Sequence, residues 1–105
     1  MNAVLSDLEA TVLARRGTDP AASYVARLFD AGLPKIAQKV GEEAVETVIA
    51  ALSGKPDALI GEAADLLFHL TVLLAACDVP LADVLAELRR REGVSGLAEK
   101  ASRGS

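Results

Sequence analysis

The sequence predicts an all-α protein, a small bundle of about five helices. Apolar residues recur at three- and four-residue spacing along nearly the whole 105-residue chain, which is the helical period. The apolar residues make up 51% of the chain and are mostly Ala, Val and Leu, with two Phe, one Tyr and no Trp. Side chains of this size suit close packing of helix against helix. No segment has the alternation of a β-strand, so we expect a single all-α domain over residues 1–105.

Glycines and prolines divide the chain into its predicted helices. The first helix ends near Arg15, because Gly17 is a natural C-terminal stop, and Gly32 closes the second in the same way. Pro34 opens the third, in the first turn where proline is tolerated. The second to fifth helices are predicted over residues 21–31, 34–52, 57–77 and 81–91, and residues 92–105 are expected to form a partly flexible tail.

Composition excludes several classes of function. The formal net charge is −4, and no basic stripe with interleaved aromatics is present, so we expect no nucleic-acid partner. A single cysteine predicts no internal disulfide and fits a reducing compartment. The N-terminus lacks the pattern of a secretory signal, and the longest apolar stretch, residues 66–77, is too short to cross a bilayer. We therefore expect a soluble cytoplasmic protein without a membrane partner. So much aliphatic surface on a small domain also predicts a homodimer or higher homo-oligomer.

The predicted fourth helix carries a polar stripe on an otherwise apolar surface. At about 100° per residue, Glu62, Asp65 and His69 fall within roughly 60° of one another. A helix that is apolar on nearly every other side is expected to be buried on nearly every side. Buried carboxylates are costly without partners, and no Lys or Arg lies three or four positions from Glu62 or Asp65. A metal ion, or basic groups from elsewhere in the fold, must supply the positive charge.

The third helix has two interpretations. Its polar face carries Lys35, Lys39, Glu42, Glu43 and Glu46, opposite Ile36, Val40, Ala44, Val48 and Leu52. Taken alone, this is an ordinary amphipathic helix with a solvated face and a Lys39–Glu43 pair. The short turn at residues 53–56, however, makes the third and fourth helices antiparallel neighbours. Their carboxylates can then converge as in the metal sites of helical bundles, and an all-oxygen set favours Mg²⁺ or Mn²⁺.

Four further residues remain open to a structural and a functional interpretation. Gly41 and Gly61 lie inside helices just before the acidic residues, and either allow close helix packing or leave room for a ligand. His69 is either a satisfied core histidine or a contact to substrate beside the carboxylates. Lys39 either neutralises phosphate or forms an exposed salt bridge. Cys77 is expected to pack.

Two segments closely resemble the phosphoribosyl-ATP pyrophosphatase family of histidine biosynthesis. They are KIAQKVGEEAVETVIAA at residues 35–51 and EAADLLFHL at residues 62–70. The similarity extends upstream to residues 23–28 and downstream to residues 95–103. The two acidic pairs also resemble the wider MazG-like group of all-α NTP pyrophosphatases.

The resemblance implies a magnesium-dependent homo-oligomeric enzyme that hydrolyses phosphoribosyl-ATP to phosphoribosyl-AMP and pyrophosphate. Carried over by position, the metal ligands are Glu43, Glu46, Glu62 and Asp65, and Glu42 lies behind them or orients the attacking water. Such a reaction needs charge neutralisation and a positioned water, so Glu42, Glu43 and Glu46 are the expected catalytic residues. Lys35, Lys39, His69 and Lys100 are the expected substrate-binding residues.

Two positions depart from the pattern of the family. Phe68 stands where the family usually has Tyr before the histidine, so any role of that hydroxyl is lost. Gly61 stands where a larger polar residue, often Asn, is usual. Neither change affects the acidic residues. Two rival functions remain: a pyrophosphohydrolase that removes other nucleoside triphosphates, and a non-catalytic helical dimerisation module.

Overall fold

The computed structural model describes residues 2–93, which are helical without any strand. The helices are α1 (Asn2–Arg15), α2 (Tyr24–Ala31), α3 (Leu33–Leu52), α4 (Pro56–Ala76) and α5 (Leu81–Arg90), followed by a 3₁₀ turn at Arg91–Gly93. The predicted all-α class with about five helices is therefore confirmed. Most of the predicted tail at residues 92–105, including Lys100, lies outside the described residues.

The start of the second helix was predicted three residues too early, at residue 21 instead of Tyr24. The Ser23 side chain is the N-cap and accepts a hydrogen bond of 3.2 Å from the Ala26 N–H. Asp19 instead accepts from the Ala21 N–H at 2.9 Å, which closes a turn rather than a helix. Asp and Ser both form such local bonds, and only their backbone geometry decides which of them begins the helix.

The hydrophobic core lies where α1, α2 and α3 pack against α4. Its most buried side chains are Val12, Ile36 and Val72, one each from α1, α3 and α4. The longest interface joins α3 and α4, which form an antiparallel hairpin through the turn at residues 53–55, as predicted. This hairpin is the frame on which the acidic residues are placed.

The inward face of α3 differs from the prediction. Val48 and Leu52 were expected to face inward, but their exposed fractions are 58% and 83%. Instead Ile36, Glu43 and Ala50 are buried, because the helix turns its acidic side toward α4. Cys77 at the C-terminal end of α4 also differs from the prediction, because it was expected to pack and is exposed.

The prediction that α4 is buried on nearly every side is wrong within one chain. Ile60 and Leu67 are 66% and 49% exposed, while His69, Thr71, Val72 and Ala75 are buried. By length and composition alone α4 could cross a membrane, with a mean hydropathy of 1.7, but the core helix of a soluble protein passes the same test. Glu62, Asp65 and His69 interrupt its apolar surface, which favours a helix outside a membrane. The expectation of no membrane partner stays a prediction.

The connection between α4 and α5 is held by side chains of α1 and the residues after it. Arg16 donates a hydrogen bond of 2.8 Å from Nη1 to the Ala75 carbonyl near the end of α4. Glu9 accepts a hydrogen bond of 2.8 Å from the Leu81 N–H at the start of α5. The N-cap of α5 is Pro80, which has no side-chain acceptor, so Glu9 supplies both the acceptor and a favourable negative charge.

Replacing Glu9 by Ala is expected to destabilise the fold by about 1 kcal/mol, as for loss of a helix cap. For a domain of this size, thermal unfolding should then occur about 4–8 °C lower. Glu9→Gln, which keeps an acceptor, should restore part of the loss. Asp7→Ala on the same helix is the matched control, since Asp7 is exposed. Equal melting temperatures for Glu9→Ala and Asp7→Ala would contradict this capping role.

Candidate metal-binding site between α3 and α4

Three carboxylates from the two helices of the hairpin converge at one point. Glu43 projects from α3, and Glu62 and Asp65 project from α4. One carboxylate oxygen from each lies within 4.8 Å of the other two. Oxygen atoms at this separation can share one hard cation, since Mg²⁺ and Mn²⁺ bind oxygen ligands at about 2.0–2.2 Å.

Two oxygens of this group have no hydrogen-bond partner among residues 2–93. They are Glu43 Oε2 and Glu62 Oε2, and both are buried. Glu43 is only 7% exposed, although it is charged at neutral pH in its ordinary state. Within residues 2–93, no salt bridge reaches Glu62 or Asp65. Buried acceptors and negative charge concentrated in this way are stabilised by a cation, so these residues fit a divalent metal.

Glu46 lies beside the three carboxylates, within hydrogen-bonding reach of both Glu43 and Glu62. Two carboxyl groups can share a hydrogen bond only if one of them keeps a proton. Burial, followed by the contact with Glu46, raises the pKa of Glu43 and of Glu62 above the ordinary value of 4.5. The structure thus brings together all four residues that were predicted as ligands.

The other predicted residues of α3 lie at the edge of this group. Lys39 Nζ is 3.3 Å from Glu42 and 3.8 Å from Glu43. Glu42 is exposed and also accepts a hydrogen bond of 2.7 Å from Gln38. The bonds from Gln38 and Lys39 lower the pKa of Glu42, and Lys35 adds to this effect. Glu42 is therefore engaged on its own helix, outside the three converging carboxylates, whereas Lys39 borders them.

Both ring nitrogens of His69 have partners within the chain. Nδ1 is 2.8 Å from the Asp65 carbonyl oxygen, and Nε2 is 3.0 Å from the Tyr24 hydroxyl. His69 is 5% exposed, so its own ring is closed to a ligand in this arrangement. The interpretation as a satisfied core histidine fits its burial, while its Asp65 contact places it directly behind the carboxylates.

Two residues at the site were not singled out from the sequence. Thr47 donates from Oγ1 to the Glu43 carbonyl at 2.7 Å and lies 3.2 Å from the Glu62 carbonyl, which joins α3 to α4 between the acidic residues. Tyr24 reaches the site from α2 through His69. The position of Thr47, one residue after Glu46 on the side facing α4, was a usable signal. Tyr24 offered none, because its contact spans 45 residues of sequence.

The two helical glycines leave open space around their Cα atoms. A Cβ built at Gly41 or Gly61 meets nothing within 4 Å, so close packing inside the chain does not explain them. Gly41 lines a groove with Glu42, Val45 and Glu46. On the other side, a groove of about 380 Å³ runs from Glu46 and Glu62 past Ile49 to Lys55. Space for a ligand therefore adjoins the carboxylates.

In the absence of added metal, stability is expected to fall as pH rises from about 4.5. The folded state holds protons on Glu43 and Glu62 that the unfolded chain has already released, because both folded pKa values are raised above 4.5. Between the unfolded and folded pKa values, each increase in pH therefore favours unfolding. Melting temperatures measured in EDTA from pH 4.5 to 8 should fall less for Glu43→Gln than for wild type.

The neighbouring Glu42→Gln is the control for this comparison. The pKa of Glu42 is lowered, and Arg90 and Arg91 hold that of Glu87 at about 2, so both groups titrate below this pH range. Glu42→Gln should keep the slope of wild type. A Glu43→Gln variant with an unchanged slope would show that Glu43 is not the group responsible.

Carboxylates gathered between two antiparallel helices are typical of helical proteins that bind divalent cations. The comparisons with known proteins narrow this class. A family model described as phosphoribosyl-ATP pyrophosphohydrolase matches residues 5–92. The chain is 68% identical over 103 residues to the phosphoribosyl-ATP pyrophosphatase of Rhizorhabdus wittichii. The aligned residues cover 98% of this chain and 97% of that protein. This chain belongs to the phosphoribosyl-ATP pyrophosphohydrolase family.

Two further relatives extend this similarity over nearly the whole chain. The phosphoribosyl-ATP pyrophosphatase of Novosphingobium aromaticivorans is 68% identical over 102 residues, covering 97% of this chain and 95% of that protein. That of Erythrobacter litoralis is 67% identical over 100 residues, covering 95% and 96%. The resemblance stated from the two sequence segments is confirmed.

Proposed function

We propose that this chain hydrolyses phosphoribosyl-ATP to phosphoribosyl-AMP and pyrophosphate, the second step of histidine biosynthesis, in the cytoplasm. One observation carries the proposal: three carboxylates converge on the α3–α4 hairpin. Two of these carboxylates each have one buried oxygen without a hydrogen-bond partner among the described residues. This hairpin lies entirely within the residues matched by the family. A polyphosphate cannot approach such a group unless a divalent cation neutralises it, which supports Mg²⁺ or Mn²⁺ as cofactor.

Glu43, Glu62 and Asp65 would hold the cation, with Glu46 as a fourth ligand. The bound metal would lower the pKa of water and neutralise phosphate charge. Lys39, with Lys35 and Lys100, is proposed to neutralise the remaining phosphate charge. Water attacks phosphorus at the α–β linkage, the bridging P–O bond breaks, and pyrophosphate leaves. Glu46 and Glu42 are the proposed acceptors of the water proton.

Pyrophosphate release from phosphoribosyl-ATP tests this function. Purified protein should release pyrophosphate with Mg²⁺ or Mn²⁺ and stop when EDTA is added. Turnover of dATP, dCTP and dUTP under the same conditions examines the rival function, a broader nucleoside triphosphate pyrophosphohydrolase. A clear preference for a free triphosphate would contradict the assignment of the substrate. A protein that is inactive on every substrate, with or without metal, would favour a non-catalytic module.

We also infer that the hairpin pairs with a second copy of the chain. On α3, Val45, Val48, Ile49 and Leu52 share one face at helical spacing, with exposed fractions of 58–83%. On α4, Ile60 and Leu67 add 66% and 49%. Exposed apolar surface on this scale usually belongs to an interface. Light scattering after gel filtration should therefore give at least twice the 10.9 kDa mass of one chain. A monomer would contradict this pairing.

A further inference from the structure

The aromatic side chains of this aromatic-poor chain are concentrated beside the carboxylates. Of its one Tyr and two Phe, Tyr24 and Phe68 meet, together with its single histidine. The Tyr24 and Phe68 rings stack at 5.9 Å, and His69 meets both edge-on, at 5.9 Å from Tyr24 and 5.0 Å from Phe68. Tyr24 is nevertheless 45% exposed, so it remains accessible to a ligand.

The hydrogen bonds of His69 fix the direction of the Tyr24 hydroxyl bond. A carbonyl oxygen can only accept, so His69 Nδ1 carries the hydrogen that it shares with the Asp65 carbonyl at 2.8 Å. In the neutral ring Nε2 is then an acceptor, and Tyr24 donates its only hydroxyl hydrogen to it at 3.0 Å. The remaining lone pairs of the Tyr24 oxygen can therefore act only as acceptors.

An acceptor in this place excludes some substrate groups and favours others. Phosphate oxygens are themselves acceptors, so they cannot bond to a hydroxyl whose hydrogen is already used. Lys39, which borders the carboxylates, suits the phosphates instead. On a nucleotide, the hydroxyls of the ribose that carries the phosphate chain are the donors nearest to a metal-bound phosphate.

We propose that Tyr24 is a specificity-determining residue that accepts a hydrogen bond from a hydroxyl of the ribose bearing the triphosphate. His69 is its positioning residue, because it holds the phenol in the accepting orientation without touching the substrate. Phe68 supports the Tyr24 ring from the side. The proposal rests on the proposed function and names the part of the substrate that lies at the α2 end of the site.

The test compares wild type and Tyr24→Phe with phosphoribosyl-ATP and with the two analogues whose triphosphate-bearing ribose lacks the 2′- or the 3′-hydroxyl. With the complete substrate, Tyr24→Phe should raise KM about 3- to 10-fold, the range for one hydrogen bond, and leave kcat nearly unchanged. Wild type should show the same loss with one deoxy analogue, and Tyr24→Phe should show no further loss with that analogue.

Variants of His69 separate positioning from folding. His69→Leu removes the acceptor and should raise KM as Tyr24→Phe does. His69→Gln, whose amide oxygen can accept from the phenol, should recover part of the affinity. Thr71→Val is the matched control, because it removes a buried hydroxyl of α4 that donates to the Leu67 carbonyl, 2.8 Å away, and it should change neither constant.

Three results would overturn the role of Tyr24. Losses that add independently in Tyr24→Phe and the deoxy analogues would mean that the phenol contacts another group, such as the base. A fall in kcat at constant KM would place it on the attacking water instead. No change at all would remove it from the substrate. A wild-type protein inactive on phosphoribosyl-ATP would contradict the proposed function itself, whereas these three results leave that function standing.

Discussion

Replacing Asp65 by Asn is expected to abolish metal-dependent pyrophosphate release, by about 100-fold or more, without unfolding the protein. Asp65 contributes one of three oxygens that lie within 4.8 Å of one another. The Asn amide keeps the shape of the side chain but loses the negative charge that a divalent cation requires. Because Asp65 raises the pKa of Glu43 by repulsion, its neutralisation should leave the metal-free protein as stable as wild type, or more so.

This combination distinguishes a ligand from a structural residue. Loss of activity should accompany an unchanged or higher melting temperature in EDTA, and the upward shift produced by Mg²⁺ in wild type should disappear. Asp57→Asn is the matched control, since it makes the same chemical change in the first turn of the same helix, outside the site. Full activity of Asp65→Asn would show that the ligands are wrongly assigned.

Replacing Val48 by Glu is expected to convert the proposed assembly into monomers. Val48 is 58% exposed in the single chain and lies on the apolar face of α3. An unpaired charge buried in a protein interface costs several kcal/mol, so association should weaken by about 100-fold or more. Within one chain the substitution adds a solvated carboxylate to an exposed helix position, which should change the stability of the isolated fold little.

Sedimentation over a range of concentrations measures this effect. Val4→Glu is the control, because Val4 is 74% exposed and lies on α1, outside the apolar face of α3. If Val4→Glu dissociated the assembly and Val48→Glu did not, the interface would lie elsewhere. The activity of monomeric Val48→Glu decides a second point: retained turnover would mean that one chain holds the complete site.

The acidic residues could be predicted from sequence because helical spacing determines them. Glu62 and Asp65 share one face of an apolar helix, and the short turn after Leu52 brings Glu43 opposite them. The rotation of α3 could not be predicted in this way. Spacing indicated that Val48 and Leu52 face inward, and a carboxylate as deeply buried as Glu43 was not expected on hydrophobic grounds alone. The orientation of α3 therefore follows its acidic residues and not its apolar periodicity. Such departures from the hydrophobic pattern are common at functional sites.

The contacts of Tyr24 lay beyond sequence reasoning for a different reason. Periodicity describes neighbours within one helix, whereas the Tyr24–His69 bond joins α2 to α4. The tautomer of His69 follows only after its two partners are known. The distinction between a core histidine and a functional one was therefore open from the sequence, and the structure shows a buried histidine bonded to Tyr24 and to the Asp65 carbonyl.

The turn at residues 53–55 has a consequence for how the protein folds. All four carboxylates belong to the two helices that this turn joins. Bringing them together therefore closes only a short loop, which costs little chain entropy. Contacts between such sequence neighbours form fast, because little of the chain has to be ordered first. A divalent cation could thus be captured by a nascent hairpin before α1 and α5 are in place. The proposed metal-binding site would then be among the first parts of the molecule to reach its final geometry. It would help to nucleate the folding of the remaining helices.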